Sequence, residues 1–141
     1  MARNNKVDHL RDVSLFSACT VKELTLIARA SDEVTVDASV AVVTEGQRGR
    51  EFYLILSGRA VVSRGGRKVA ELGPGQYFGE MSLLDGAPRN ATVTAAGPTT
   101  LLVLDQREFA ALLDTTPGVA RKLLTQMAGR LRVADEKAVT H

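Results

Sequence analysis

From Glu33 to Leu104 the chain is cut by glycine and proline at such short intervals that no long helix fits between its extended segments. Val34, Val36, Val40 and Val42 alternate with Thr35, Asp37 and Ala41, apart from a break at Ala38-Ser39, so the period is two and strands begin here. Glu45-Gly46-Gln47-Arg48-Gly49 is a turn signal. Beyond it Phe52, Leu54 and Leu56 share one face of a strand and Tyr53 and Ile55 the other. Gly65-Gly66 marks a tight hairpin between Ala60–Ser63 and Lys68–Leu72, and Gly73-Pro74-Gly75 closes that unit. Thr92–Ala95 and Thr99–Leu104 are rich in β-branched residues and separated by Gly97-Pro98. Short strands between such turns build a small barrel, sandwich or roll, not an α/β sheet, which needs crossover helices.

Helical patterns stand on both sides. At the front, Val13, Leu15 and Phe16 give a short apolar turn. Thr20-Val21-Lys22-Glu23 then has the capping-box pattern and starts a helix with Val21, Leu24, Ile27 and Ala28 on one face. At the back, Asp105 caps a helix through its carboxylate, with Glu108 three positions on and Phe109, Leu112 and Leu113 as its apolar face. Thr116-Pro117 opens a last helix whose apolar positions are Val119, Leu123, Leu124, Met127 and Leu131. That helix also carries Arg121, Lys122, Arg130 and Arg132, which read as a solvated basic face. A chain of 141 residues suits one domain. It divides into N-terminal helices over 1–32, a β region over 33–104 and C-terminal helices over 105–141. The fold class is α+β.

Several functions lack their chemistry. The net charge of +2, from 18 basic and 16 acidic residues spread along the chain, offers no field to hold a polyanion. No stretch carries the two further helices of a helix-turn-helix reader, so no direct DNA binding is expected. There is no GxxxxGK[ST] loop, and Gly73, Gly75 and Gly79 do not open a βαβ unit. His9 and His141 lie near opposite ends with no array of cysteines or carboxylates at ligand spacing, so neither a metal site nor a nucleophilic triad is expected, and no catalytic residue is assigned. The lone Cys19 reads as an inert, partly buried thiol of a reducing compartment. No run of eighteen apolar residues occurs, and the expected setting is cytoplasmic, away from the membrane.

What remains is the stretch from Phe78 to Thr92, FGEMSLLDGAPRNAT. Arg89 offers a planar fork of donors that suits phosphate oxygens. Glu80, when ionised, only accepts hydrogen bonds, so it repels phosphate and welcomes a sugar hydroxyl. Gly79, Ser82 and Ala91 are small enough for main-chain N–H groups to approach an anion. Met81, Leu83 and Leu84 at helical spacing make a short helical turn between the two anchors, whose N-terminus adds favourable partial charge. Asp85-Gly86 supplies a turn, and Pro88 fixes the approach to Arg89. Taken alone, Glu80 and Arg89 also read as a salt bridge closing an ordinary loop.

The whole pattern resembles the phosphate-binding cassette of the cyclic-nucleotide-binding domain family, of the catabolite activator and protein kinase A regulatory subunit type. Phe78-Gly79-Glu80, Ser82-Leu83 and Arg89-Asn90-Ala91-Thr92 match its motif. Upstream, EGQRGREFYLILSGRAVV is similar to the glycine-punctuated hairpin region of the same family, with Gly46, Gly49, Tyr53 and Gly58 at matching positions. The resemblance covers nearly the whole chain. It implies an antiparallel, jelly-roll-like β-roll flanked by N-terminal helices and C-terminal B and C helices. It implies a ligand, cAMP ahead of cGMP, bound by Gly79, Glu80, Met81, Ser82, Arg89, Asn90 and Ala91. In that likeness Glu80 takes the ribose 2′-hydroxyl, Arg89 the cyclic phosphate, and Leu83 relays binding to the C-terminal helix.

Two positions depart from the family pattern. A hydroxyl at the place of Asn90 accompanies guanine contacts in relatives, so asparagine leaves the base preference open. Few residues follow Leu131, where relatives place a base lid and a long dimer helix, and Val133, Ala134 and Lys137 are lid candidates by position alone. The expected function is a non-catalytic sensor that moves its C-terminal helix toward an unknown protein effector, with a homodimer as one possible state. The alternatives are an interaction module that keeps the fold without answering cyclic nucleotides, or a regulatory fragment of a larger transcription factor or enzyme.

Overall fold

The computed structural model describes residues 5–139, with side chains from 6 to 133. Three helical pieces lead: α1 (Asn5–Arg11), a 3₁₀ turn (Ser14–Phe16) and α2 (Val21–Ala30). Thr20 caps α2 in both directions, its hydroxyl accepting from the Glu23 N–H while the Glu23 carboxylate accepts from the Thr20 N–H. Eight strands follow, β1 (Asp32–Val36), β2 (Ala41–Val43), β3 (Glu51–Ser57), β4 (Ala60–Arg64), β5 (Arg67–Leu72), β6 (Tyr77–Phe78), β7 (Thr92–Ala95) and β8 (Thr99–Asp105). The short α3 (Glu80–Asp85) interrupts them after β6, and α4 (Gln106–Thr115) and α5 (Pro117–Val139) end the chain.

The strands form two four-stranded antiparallel sheets, one in the order β1-β8-β3-β6 and the other β2-β7-β4-β5. Together they make a β-roll carrying its helices on one side. Strand alternation in β3 and β8 accounts for the layering. Phe52, Leu54, Leu102 and Leu104 face a core shared with Leu10, Phe16, Leu24, Phe109, Val119 and Leu123 of the helices. Tyr53, Ile55, Leu101 and Val103 face the other way, into a core between the sheets. Both faces of these two strands are therefore dry, which is why they read as nearly continuous apolar runs.

Three features of the folded chain are decided by pairing and burial and not by the local pattern. The valine alternation from Val34 to Val42 does not mark one buried face: Val34 and Val40 are 42% and 41% exposed, and the buried residue is Val43. The cause lies at the break at Ala38-Ser39, where Ser39 adopts a left-handed φ of 72° and the chain passes from the edge of one sheet to the edge of the other. The strands around Gly97-Pro98 are not partners either. β7 pairs with β2 and β4, whereas β8 pairs with β1 and β3. Turn residues dictate that the chain reverses, and burial decides which neighbour each strand takes. Finally, the apolar positions of α5 split: Val119 and Leu123 are buried, but Leu124 and Leu131 are 66% and 64% exposed.

Elsewhere the local chemistry holds. Gly65 and Gly66, at φ 59° and 79°, form the two-residue turn of the β4–β5 hairpin, the mirror-image turn that matches strand twist. The Asp105 carboxylate accepts from the Glu108 N–H at 2.8 Å and caps α4. Replacing Asp105 with alanine should lower the free energy of unfolding by about 1 kcal/mol in a urea titration, with an unchanged m-value; a loss near zero would show that the cap is satisfied by water instead. Cys19 is half-buried, and burial first, then Glu23, pushes its thiol up to about 11, which keeps it protonated and unreactive at neutral pH.

Candidate functional site

β6 sets the site. Tyr77 pairs with Leu54 and Phe78 with Tyr53, so alternation sends Tyr77 toward the helices and Phe78 into the roll, stacked on Tyr53 at a centroid distance of 5.0 Å. The chain then turns at Gly79, φ 93°, and begins α3, which places Glu80 in its first turn. Six residues later Gly86, φ 73°, ends the helix. Asp85 accepts from the Ala87 N–H, and Pro88 leads into Arg89.

Arg89 is fixed from both its backbone and its side chain. Its N–H donates to the Gln47 carbonyl, and its carbonyl accepts from the Gly46 N–H, each at 2.8 Å. Its guanidinium donates through Nη1 to the Gly79 carbonyl at 2.9 Å and through Nη2 to the Glu51 carbonyl at 2.8 Å. The side chain thereby ties the start of β3 to the end of β6. A guanidinium has five N–H donors, so this staple leaves others to face a ligand. Gly49 is the residue that makes room: a Cβ there would stand 2.6 Å from the Ser82 Cβ and 2.8 Å from the Arg89 Cζ.

Arg89 and Glu80 line one cavity of about 460 Å³, together with Gly79, Met81, Ser82, Asn90 and Ala91. All seven ligand-contact residues anticipated from the sequence are thus brought together. Glu80, 3% exposed, and Arg89, 7% exposed, are buried, yet no ion pair joins them among the described residues. The ordinary loop salt bridge is absent. Ser82 and Ala91 are also buried, while Met81 is 45% exposed at the rim. The wall opposite the cassette is apolar, from Val43, Val62, Val69, Leu72 and Val93. Such a mixture, a greasy wall with a few convergent polar groups, is the usual make-up of a small-molecule pocket.

Burial holds the Glu80 carboxyl above its ordinary range. The Arg130 guanidinium opposes this most, followed by the backbone N–H of Glu80 itself, Arg89 and the Met81 N–H. Burial likewise pulls Arg89 below its usual value, while the acidic groups of Tyr53, Glu51 and Glu80 push it back. A guanidinium remains charged at neutral pH regardless. Tyr53 is raised by burial first and then by its hydrogen bond to the Glu51 carboxylate, 2.8 Å long.

Arg130 is the residue that sequence reasoning missed. Taken as part of a solvated basic face, it instead lines the cavity, and its Cζ lies 5.4 Å from the centre of the Tyr77 ring. The Tyr77 hydroxyl donates to the Gln126 Oε1 of the same helix, so α5 is fastened to β6 beside Glu80. The one local clue was the spacing of Gln126 and Arg130, four apart and hence on one helical face. The remaining candidates fall elsewhere. Leu83 packs against the core shared with the helices, not into the cavity. Val133, 50% exposed, lines a neighbouring groove with Ser14, Gly75 and Gln126. Ala134 and Lys137 lie outside the residues whose side chains are described.

Comparison with known proteins places this geometry. Residues 33–116 match the family described as cyclic nucleotide-binding domain, well over half of the 141-residue chain. The cAMP-dependent protein kinase regulatory subunit of Mycosarcoma maydis is 34% identical over 141 residues, covering 94% of this chain and 26% of that protein. The cyclic AMP receptor protein of Thermus thermophilus is 44% identical over 96 residues, covering 64% of this chain and 44% of that one. The solved regulatory domain of Toxoplasma gondii protein kinase A with cAMP superposes with a TM-score of 0.81 at 25% identity, over 91% of this chain and 50% of that one. The chain therefore spans less than half the length of these two curated relatives. Among the described residues no helix is long and apolar enough to cross a membrane.

Proposed function

This chain belongs to the cyclic nucleotide-binding domain family, and from that premise we propose that it is a non-catalytic sensor domain that takes a cyclic purine nucleotide, cAMP ahead of cGMP, into the cavity beneath α5. The observation that carries this reading is the pair of buried, mutually unpaired charges, Glu80 and Arg89, on one cavity wall. Burying an ionised group is costly unless a partner compensates it, and a ligand with a phosphate at one end and a hydroxyl at the other compensates both. Arg89 pairs with the phosphodiester through donors that its staple does not use. Glu80 accepts from the ribose 2′-hydroxyl. Gly79, Ser82 and Ala91 bring main-chain N–H groups to the phosphate, and Met81 and Asn90 close the rim.

The response follows from what borders the site. α5 meets β6 through Gln126 and Arg130 on Tyr77, and Arg130 is the strongest charged influence on Glu80. A ribose hydroxyl on Glu80 changes the partner that Arg130 sees, and so biases where α5 rests. Leu83 carries the shift of α3 into the core shared with the helices. In this reading the base lid comes from α5, with Val133, Ala134 and Lys137 as its candidates by position along the chain. The output is a contact of α5 with a protein effector or a second copy of the chain, in a cytoplasmic setting.

Changing Glu80 to glutamine tests the sugar assignment. Calorimetric titration with cAMP and 2′-deoxy-cAMP should show the wild type preferring the ribose form, and the preference shrinking about tenfold in the variant, since a hydrogen bond to a charged acceptor exceeds one to a neutral amide. An unchanged ratio would remove Glu80 from that role. An interaction module deaf to nucleotides is the second reading, favoured by the exposed Leu124 and Leu131 on α5. The absence of any thermal shift with millimolar cAMP or cGMP would select it.

A further inference from the structure

A third guanidinium, Arg64, borders the same cavity at the end of β4. Its Nε donates to the main-chain carbonyl of Asn90 at 3.0 Å, which fixes the plane of the group beside the last residues of the cassette. The hairpin tip that carries it is held in turn, because the Gly65 N–H donates to the Glu45 Oε1 at 3.0 Å and the Glu45 N–H to the Thr92 Oγ1 at 2.9 Å. Among the described residues neither Nη of Arg64 has a hydrogen-bond acceptor, and no carboxylate pairs with it. The two acidic residues of the cavity are occupied otherwise. Glu80 is buried at the start of α3, and Glu71 is taken by Lys68 at 2.8 Å and Arg59 at 3.2 Å. Arg64 thus presents an oriented, unspent donor fork at the rim of a cavity whose nearby wall, Val62, Val69, Ala70 and Leu72, is apolar enough to lie against a flat base.

We infer that Arg64 is a base-reading residue, which donates its two Nη groups to the acceptor edge of a keto purine and so admits guanine to the cavity alongside adenine. The argument is one of complementarity. A guanidinium with two free parallel donors matches the N7 and O6 acceptors of guanine, whereas adenine offers N7 but turns a donor, its amino group, toward the second position. Arg89 does not duplicate this role, since its fork is spent on the Gly79 and Glu51 carbonyls and on the phosphate end. The inference rests on the proposed cyclic-nucleotide function of the same cavity, and concerns only which base that cavity distinguishes.

The test is calorimetric titration of the 141-residue chain and its Arg64→Met and Arg64→Lys variants with cAMP, cGMP and cyclic IMP. Cyclic IMP keeps the keto edge of guanine and lacks its amino group. Arg64→Met should weaken cGMP and cyclic IMP by about tenfold more than it weakens cAMP, which can lose only the N7 contact. Arg64→Lys, which keeps the charge but not the fork, should behave like Arg64→Met. Arg64 is exposed on a hairpin, so matching melting temperatures are expected for all three proteins. Equal losses for all three nucleotides would overturn the inference and make Arg64 a phosphate contact or a support for Asn90; unchanged affinities would overturn it as well. Failure of the wild type to bind any of the three would instead sink the sensor function, and this assignment with it.

Discussion

Arg89→Ala is expected to weaken cAMP binding by at least roughly thirtyfold, because a buried, hydrogen-bonded charge loses its partner at a cost of about 2 to 5 kcal/mol. The same substitution should also destabilise the free protein. Arg89 donates to the carbonyls of Gly79 and Glu51, which lie ten and 38 residues away along the chain, and both lose their donor when the side chain is removed. Each buried acceptor left unsatisfied costs about 1 to 3 kcal/mol. Two measurements separate the effects: urea unfolding of the unliganded variant reads the staple, and calorimetry at a temperature where the variant remains folded reads the phosphate contact. Arg89→Lys sharpens the result. One ammonium cannot span both carbonyls and also meet two phosphate oxygens, so lysine should restore only part of either quantity. Affinity for cAMP equal to wild type in folded Arg89→Ala protein would remove Arg89 from the phosphate role.

Gly79→Ala should be comparably damaging for a different reason. At φ 93° a Cβ is strained in itself, and here it would also lie 2.8 Å from the Glu51 carbonyl oxygen and 2.7 Å from the Arg89 Nη1. The Glu51 oxygen belongs to the backbone of a central strand, which cannot step aside cheaply. Relief requires either moving β6 off β3 or breaking the Arg89 staple. The expected loss of stability is therefore more than about 1 kcal/mol, the usual scale for a single strained backbone residue, and is accompanied by loss of measurable cAMP binding at micromolar protein. Gly86→Ala is the matched control. Gly86 also has a positive φ of 73°, but a Cβ there meets nothing within 4 Å, so it should cost stability and leave affinity largely intact. Equal effects on binding from the two alanines would show that strain, not the close approach to Arg89, is what matters at Gly79.

Much of this molecule could be read from its residues, where the deciding interactions are short in sequence. Thr20 and Glu23 cap each other three positions apart, Asp105 reaches the Glu108 N–H, and Gly65-Gly66 closes a two-residue turn. The alternation of Phe52, Leu54 and Leu56 against Tyr53 and Ile55 holds because neighbouring side chains on a strand point oppositely whatever the partner. The α-β-α order, and the gathering of small residues around one carboxylate and one guanidinium, are local in the same sense.

The interactions the sequence left open are those whose partners the chain brings back from far away. Nothing near Gly97-Pro98 states that β7 and β8 belong to different sheets, and nothing near Val34 states that β1 lies at an edge, because pairing depends on which surfaces remain to be buried once the others have packed. Whether Glu80 and Arg89 bind each other was equally undecidable from their spacing of nine. The tertiary structure decided it by giving Arg89 two distant carbonyls, that of Glu51 at the start of β3 and that of Gly79 just after β6, and giving Glu80 a neighbour, Arg130, from a helix fifty residues further on. Composition and spacing put one carboxylate, one guanidinium and several small residues in one short stretch, and left open whether the two charges pair. Only the folded roll, by burying both charges on one cavity wall while tying Arg89 to two main-chain carbonyls, decided that they do not pair with each other.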